Sequence, residues 1–267
     1  MPRSQPKTPK KRAVPPEVTE RAFLDSYDPK AFERPSVAVD VALLSVVDGA
    51  LFTLLLQRAD HPFKGKWSLP GGFVRLDEPL DAAARRLLAA KGKLTDVFLE
   101  QLYTFGDPRR DPRMRVITVA YYALVDRGRF EAAALGSPEL SVARIDVPWE
   151  GETGGPVDVH IEDKRPDVEV RAPAALAFDH AEILGTAVKR IRGKLDYSPI
   201  GFQLLGSTFT LLDLQRVHES ILGRPLNKDS FRRRMLASGQ LEATGETQQA
   251  VDHRPAELYR FVKRSAV

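Results

Sequence analysis

A chain of 267 residues, 43% hydrophobic and 28% charged, falls in the ordinary globular class and has room for two domains. Stretches such as Val41–Val47 are far shorter than the roughly 18 apolar residues a membrane-spanning helix needs, and the charged N-terminus carries no apolar core of a secretory signal. With no cysteine, disulfides, cysteine-ligated zinc and thiol nucleophiles are excluded, so a cytoplasmic protein that does not touch a membrane is the simplest expectation.

The net charge of +4 is unevenly placed. Divided at the composition shifts near Pro35 and Pro173, residues 1–34 carry eight basic and five acidic side chains, residues 35–172 eighteen and twenty-one, and residues 173–267 fourteen and ten. A mildly acidic centre followed by a basic C-terminal domain is the electrostatic outline of a protein that contacts nucleic acid, although so small an excess is also common on plain surfaces.

In chain order, residues 1–16 hold five prolines and a run of bases, predicting a disordered basic tail, with 17–34 as a lead-in. SVAVDVALLSVV at 36–47 predicts a strand, Asp48-Gly49 a tight hairpin turn and LFTLLLQRA at 51–59 its partner. LDAAARRLLAA at 80–90 has helical spacing, and RVITVAYYALV at 115–125 returns to a strand pattern. Residues 149–171, rich in Gly, Pro and acids, are expected to form a loop with one edge hairpin. Helices are then expected at 180–194, at 209–223 (with Thr210 as N-cap, Asp213 in its first turn and Gly223 as the stop) and at 228–239 behind an N-capping Asn227. Two short strand-like pieces around a polar loop close the chain. Helix, turn, helix and hairpin make the order of a winged helix-turn-helix.

The sharpest motif is Leu69-Pro70-Gly71-Gly72-Phe73-Val74, followed by Glu78 and by Arg85-Arg86 on the helix. It resembles the Nudix box, G-x5-E-x7-R-E-U-x-E-E-x-G-U: Gly72 stands on the first glycine, Glu78 on the first acid, Arg86 on the arginine, and Leu88 and Leu94 on apolar positions. Nudix hydrolysis needs carboxylates to hold Mg²⁺ or Mn²⁺ against a diphosphate. Here the three glutamate positions are Leu87, Ala90 and Lys91, and Gly92 is one place early. The scaffold survives, with Glu78 free to pair Arg86 or cap the helix, while the metal ligands are gone. The resemblance therefore implies a Nudix fold without Nudix hydrolysis, with no cofactor and no metal expected.

Downstream, Gln101 to Val125 resembles a segment of Nudix domains of the ADP-ribose pyrophosphatase type. Its arginines Arg109, Arg110, Arg113 and Arg115 suit a diphosphate, although Asp107 and Asp111 are interleaved with them and a self-satisfied surface loop is the plain alternative. The expected effector-binding set is Arg58, Gly71, Gly72, Phe73, Glu78, Arg86, Arg109, Arg110, Arg113 and Arg115. At the other end, helical spacing over NKDSFRRRMLA places Phe231, Met235 and Leu236 inward and Lys228, Arg232 and Arg233 outward. An apolar anchor under outward arginines is what a recognition helix needs. The expected DNA-binding set is Asn227, Lys228, Ser230, Arg232, Arg233, Arg234 and, in the wing, Arg254. His61, His160, His180, His218 and His253 are scattered and suggest no metal site, with His180 beside Asp179 suited to packing or capping.

From Val37 to Phe261 the chain is similar to the Nudix-related transcriptional regulators, the NrtR-type repressors. The fold this implies is α+β: a Nudix-like α/β/α sandwich with a mixed sheet over 35–172 and a winged helix DNA-binding domain over 173–267. It further implies a homodimer on a palindromic double-stranded DNA operator, ADP-ribose or a related phosphorylated nucleotide as effector, and control of NAD metabolism genes. An active ADP-ribose pyrophosphatase with a C-terminal dimerisation domain, and a metabolite-binding adaptor for a protein partner, are the rival readings.

Overall fold

The computed structural model describes residues 19–162, 173–249 and 255–262. The proline-rich leader 1–18, the end of the 149–171 loop and Arg254 lie outside the described residues. By itself, the segment before Pro35 holds a short helix, α1 (Glu20–Ser26), N-capped by Thr19, and a 3-10 turn at Pro29–Ala31 capped by Asp28.

Residues from Pro35 onward form one compact unit. Strand β1 (Ser36–Val47) turns through Asp48 and Gly49, both at positive φ, into β2 (Ala50–Gln57), the geometry that suits the right-handed twist of a two-residue hairpin. Short strands β3 (Trp67–Ser68) and β4 (Gly71–Phe73) lead to helix α2 (Leu80–Gly92), then β5 (Phe98–Phe105), β6 (Val116–Leu124), α3 (Arg127–Leu135), β7 (Leu140–Asp146) and β8 (Asp158–Ile161). The mixed sheet runs β5-β6-β1-β2-β7-β8, with β4 on β1 and β3 on β2; β1 and β6 are parallel and their other pairings antiparallel.

Strand β1 reads as an unbroken apolar run because both its faces are covered. Val39, Val41 and Leu43 face a core built with Ala83, Ala84, Leu87 and Leu88 of α2 and Phe130 of α3. Ala42, Leu44 and Val46 face the opposite core, which is completed by Ile183, Leu184, Ala187, Val188 and Ile191 of helix α4 (His180–Lys194). Helix α4, which follows the composition shift at Pro173, thus supplies the second helical layer of the sandwich.

A 3-10 segment at Pro199–Leu204 connects to helices α5 (Leu211–Leu222) and α6 (Lys228–Ala237) and to the hairpin β9 (Leu241–Thr247) and β10 (Glu257–Phe261). The expected caps are all present. Thr210 and Asp213 form a reciprocal capping box, Gly223 is left-handed at the end of α5, and the Asn227 side chain accepts from the Ser230 N–H. One face of α5 packs with Phe202, Phe209, Phe231, Met235 and Tyr259 in a separate core. Val217 and Ile221 on its other face join the core under α4. Leu236 departs from expectation. Burial follows the i, i+4 pair Phe231 and Met235, and Leu236, one residue further round, is 45% exposed. Among the described residues, no helix is long and apolar enough to cross a membrane.

Candidate functional site

A cavity of about 430 Å³ opens where the Gly71-Gly72 turn, the end of β2, the 110–113 loop and the start of α4 converge. Close approach requires the glycine at Gly71 and crowds the one at Gly72. A Cβ at Gly71 would stand 2.1 Å from Asp40 Oδ1, and one at Gly72 would stand 3.0 Å from Leu87 Cδ2.

Asp40, buried on β1, organises the wall. Its carboxylate accepts from Thr118 Oγ1 at 2.8 Å and from Arg110 Nη2 at 3.4 Å. Arg110, its side chain only 4% exposed, also forks onto Asp179 through Nε at 2.8 Å and Nη2 at 2.6 Å. Neighbouring His180 accepts the Leu69 N–H on Nδ1 at 3.0 Å, which fixes the neutral tautomer with its proton on Nε2, 3.7 Å from Asp40 Oδ1. Burial holds the His180 pKa below its ordinary value, against the pull of Asp40 and Asp179. The first turn of α4 thereby pins the residue that enters the glycine turn.

Of the expected effector-binding residues, Arg58, Gly71, Gly72, Phe73, Arg110 and Arg113 line the cavity. Arg58 stacks on Phe178, 4.9 Å from the ring centroid, and donates to the Pro62 carbonyl. Arg113 is forked to Asp111 at 3.0 and 2.8 Å. The other four lie off it. Glu78 clasps Arg86, which also donates to the Phe73 carbonyl, so this pair braces the loop entering α2. Arg86 holds the Glu78 carboxyl down at about 2. Arg109 points to solvent beside Asp107, and Arg115 is exposed outside the cavity. The 107–113 stretch is therefore largely a set of arginine–aspartate pairs, with Arg110 and Arg113 turned toward the cavity.

Sequence reasoning missed Asp40, Phe178 and His180 as lining residues, and took Lys91 only as a lost ligand. Lys91 reaches back to donate to the Gly71 carbonyl at 2.6 Å. Burial lowers its pKa and Asp40 opposes that shift. This donor set does not fit the divalent cation of a Nudix box: Leu87 is packed in the core, Ala90 has no donor, and Lys91 is itself a cation. Among the described residues no three His, Asp or Glu side chains converge on a possible metal position.

On α6, Lys228, Ser230, Arg232, Arg233 and Arg234 are exposed over the buried Phe231 and Met235. Asn227 is committed to capping the helix, and Arg234 lies 5.6 Å from the Phe231 ring centroid. Arg254 falls outside the described residues.

The NUDIX domain profile matches residues 34–150, and the profile of the NrtR DNA-binding winged helix domain matches residues 201–261. The chain is 36% identical over 245 residues, 91% of its own length and 88% of the relative's, to a protein of Acinetobacter baylyi described as the ADPR responsive transcriptional repressor NtrR. Among solved structures it resembles Shewanella oneidensis NrtR complexed with a 27mer DNA, at 32% identity and TM-score 0.68, covering 85% of this chain and 93% of that one. It also resembles a MutT/nudix family protein of Enterococcus faecalis, at 26% identity and TM-score 0.71, covering 92% and 95%. With both profiles matched in order and the repressor of A. baylyi aligned over nearly the whole length, the chain belongs to the NrtR family of Nudix-related transcriptional regulators.

Proposed function

We propose that the protein is a DNA-binding transcriptional repressor whose Nudix domain binds ADP-ribose, or a closely related phosphorylated nucleotide, as an effector without hydrolysing it. The observation that carries this reading is the pairing of a cation-lined cavity lacking metal-binding carboxylates with an exposed basic helix on an apolar anchor. The A. baylyi relative, described as an ADPR responsive repressor, supports the same assignment. In this reading Lys228, Arg232, Arg233 and Arg234 meet the duplex, with Arg232 and Arg233 reading base edges and Lys228 holding phosphates. A homodimer would present its two recognition helices to half-sites of a palindromic operator roughly 34 Å apart, upstream of genes of NAD metabolism.

Helix α4 gives the effector a route to the DNA. Its N-terminus meets the cavity through His180, which lines it, and through Asp179, which holds the lining Arg110. Near its other end the buried Arg192 donates to the Ile221 carbonyl at the close of α5 at 2.6 Å and to the Trp149 and Gly151 carbonyls. A ligand that binds one arrangement of this wall better than another shifts the population of recognition-helix positions by that difference in affinity.

The test is fluorescence anisotropy of labelled DNA from upstream of this gene and its neighbours, at fixed salt, with and without ADP-ribose. Selective binding that ADP-ribose alters is expected. R232A and R233A should each lose about 1–3 kcal/mol of discrimination, whereas K228A should act on all sequences alike and flatten the salt dependence. Absence of selective, salt-sensitive binding, or appreciable AMP release from ADP-ribose with Mg²⁺ or Mn²⁺, would overturn the proposal.

A further inference from the structure

Four cationic side chains line the cavity, and they fall into two kinds. Arg110 and Arg113 are forked onto carboxylates and are electrically spent. Among the described residues, Arg58 and Lys91 have no carboxylate within ion-pair distance; each is held by a single backbone carbonyl, Pro62 for Arg58 and Gly71 for Lys91. The two remaining acids of the lining, Asp60 and Glu139, are exposed at its rim.

An ammonium has three N–H donors and a guanidinium five, so most of the donors on both groups point at no protein acceptor. Burial disfavours the charge on Lys91, Asp40 favours it, and Arg58 and Arg86 work against it. Two cations on one cavity lining, with donors to spare, suit a group carrying at least two negative charges and several oxygens. The side chain that provides one of them rises from the position where the Nudix box places a metal-binding acid. It passes Gly72, whose missing Cβ would otherwise stand 3.9 Å from the Lys91 nitrogen.

We infer that Lys91 supplies within the cavity the positive charge that a divalent cation supplies in a carboxylate-bearing Nudix box, so that Lys91 and Arg58 receive the diphosphate of the effector without a metal ion. This inference rests on the reading of the cavity as the effector site. It turns the missing ligands into an exchange, in which a cation fixed to the chain takes the place of one drawn from solution. Lacking a metal-bound water, such a site holds a diphosphate and leaves it intact.

The test is calorimetric titration of the full-length protein with ADP-ribose and, separately, with inorganic pyrophosphate, each in EDTA and in Mg²⁺. Wild-type affinity should agree within about twofold between the two conditions, and K91Q should lose roughly ten- to a hundredfold, the size of one charge-assisted bond. K91R should retain most of the affinity, and K91E should bind weakly in EDTA and improve on adding Mg²⁺. Thermal melting of each variant checks that the fold is kept. Wild-type binding that collapses in EDTA, or K91Q binding like wild type, overturns the inference while leaving ADP-ribose as effector. Lysine-dependent binding of pyrophosphate but not of ADP-ribose keeps the inference and removes that effector. No binding of either ligand removes both.

Discussion

Replacing Arg110 with methionine keeps an unbranched apolar stem and deletes the guanidinium, which tests what the buried fork contributes. The side chains of Arg110, Asp40 and Asp179 are 4%, 10% and 15% exposed, so the two carboxylates would lose their shared cation without gaining water. Asp40 would keep the Thr118 hydroxyl at 2.8 Å, and Asp179, at the N-cap position of α4, would keep the favourable end of the helix dipole. Removing one partner of a buried pair costs about 3–5 kcal/mol. At roughly 2–4 °C per kcal/mol for a domain of this size, the melting temperature should fall by about 6–20 °C. Circular dichroism melts of wild type, R110M, D179N and the double variant measure this directly. In the double variant the losses should fall short of additivity by about 0.5–3 kcal/mol, because both single changes break the same fork. An R110M melt within about 2 °C of wild type, or strictly additive losses, would refute the argument that the fork is a desolvated, mutually dependent pair.

G185A should destabilise by about 1–3 kcal/mol despite the better helix propensity of alanine, because the new Cβ would stand 1.8 Å from the Gly155 carbonyl oxygen. A higher urea midpoint for this variant would contradict the packing of the 149–157 loop on α4. F231A removes the buried anchor of α6 and should cost about 3–5 kcal/mol. It should abolish DNA binding while leaving ADP-ribose binding intact, and a variant that binds DNA normally would unseat the recognition-helix assignment. The Glu78 carboxyl, held at about 2 chiefly by Arg86, is depressed relative to the unfolded chain. Its contribution is therefore fully present above the unfolded value of about 4.3 and is lost as pH falls from there toward 2. Carboxyl NMR should find Glu78 titrating well below the other glutamates, and a midpoint near 4.5 would show that the clasp with Arg86 does not form.

Local rules carried the parts of the fold whose signals lie within a few residues of one another. The Asp48-Gly49 hairpin, the Thr210–Asp213 capping box, the Gly223 stop and the Asn227 cap each depend on one or two side chains meeting nearby backbone, and each is found where the spacing puts it. Helix α3 carried a comparable signal that went unread: Asp126 accepts from the Arg129 N–H. Its short run Arg127–Leu135 buries only Phe130 and Ala133, too few to make an apolar period stand out. Strand β5 escaped for a related reason, since the partly exposed edge strand FLEQLYTF shows little alternation; β7, a short strand ending at Asp146, was also not anticipated.

Sequence by itself determined that the three glutamate positions of the box carry no carboxylate, because the identity of Leu87, Ala90 and Lys91 is read directly from the chain. It also determined which face of α6 carries charge, since a helix fixes the direction of each side chain from its spacing. Which arginines are free to meet a ligand was decided only by the tertiary structure. Arg110 and Arg113 look equivalent to Arg109 and Arg115 along the chain, yet only the first two line the cavity, and both are neutralised there. Asp40 and His180 line that wall, and Asp179 braces it through Arg110, each 69 to 111 residues from its hydrogen-bond partner. No local pattern encodes such meetings, because it is the packing of α4 across the sheet, driven by apolar burial on its other residues, that brings these polar groups together.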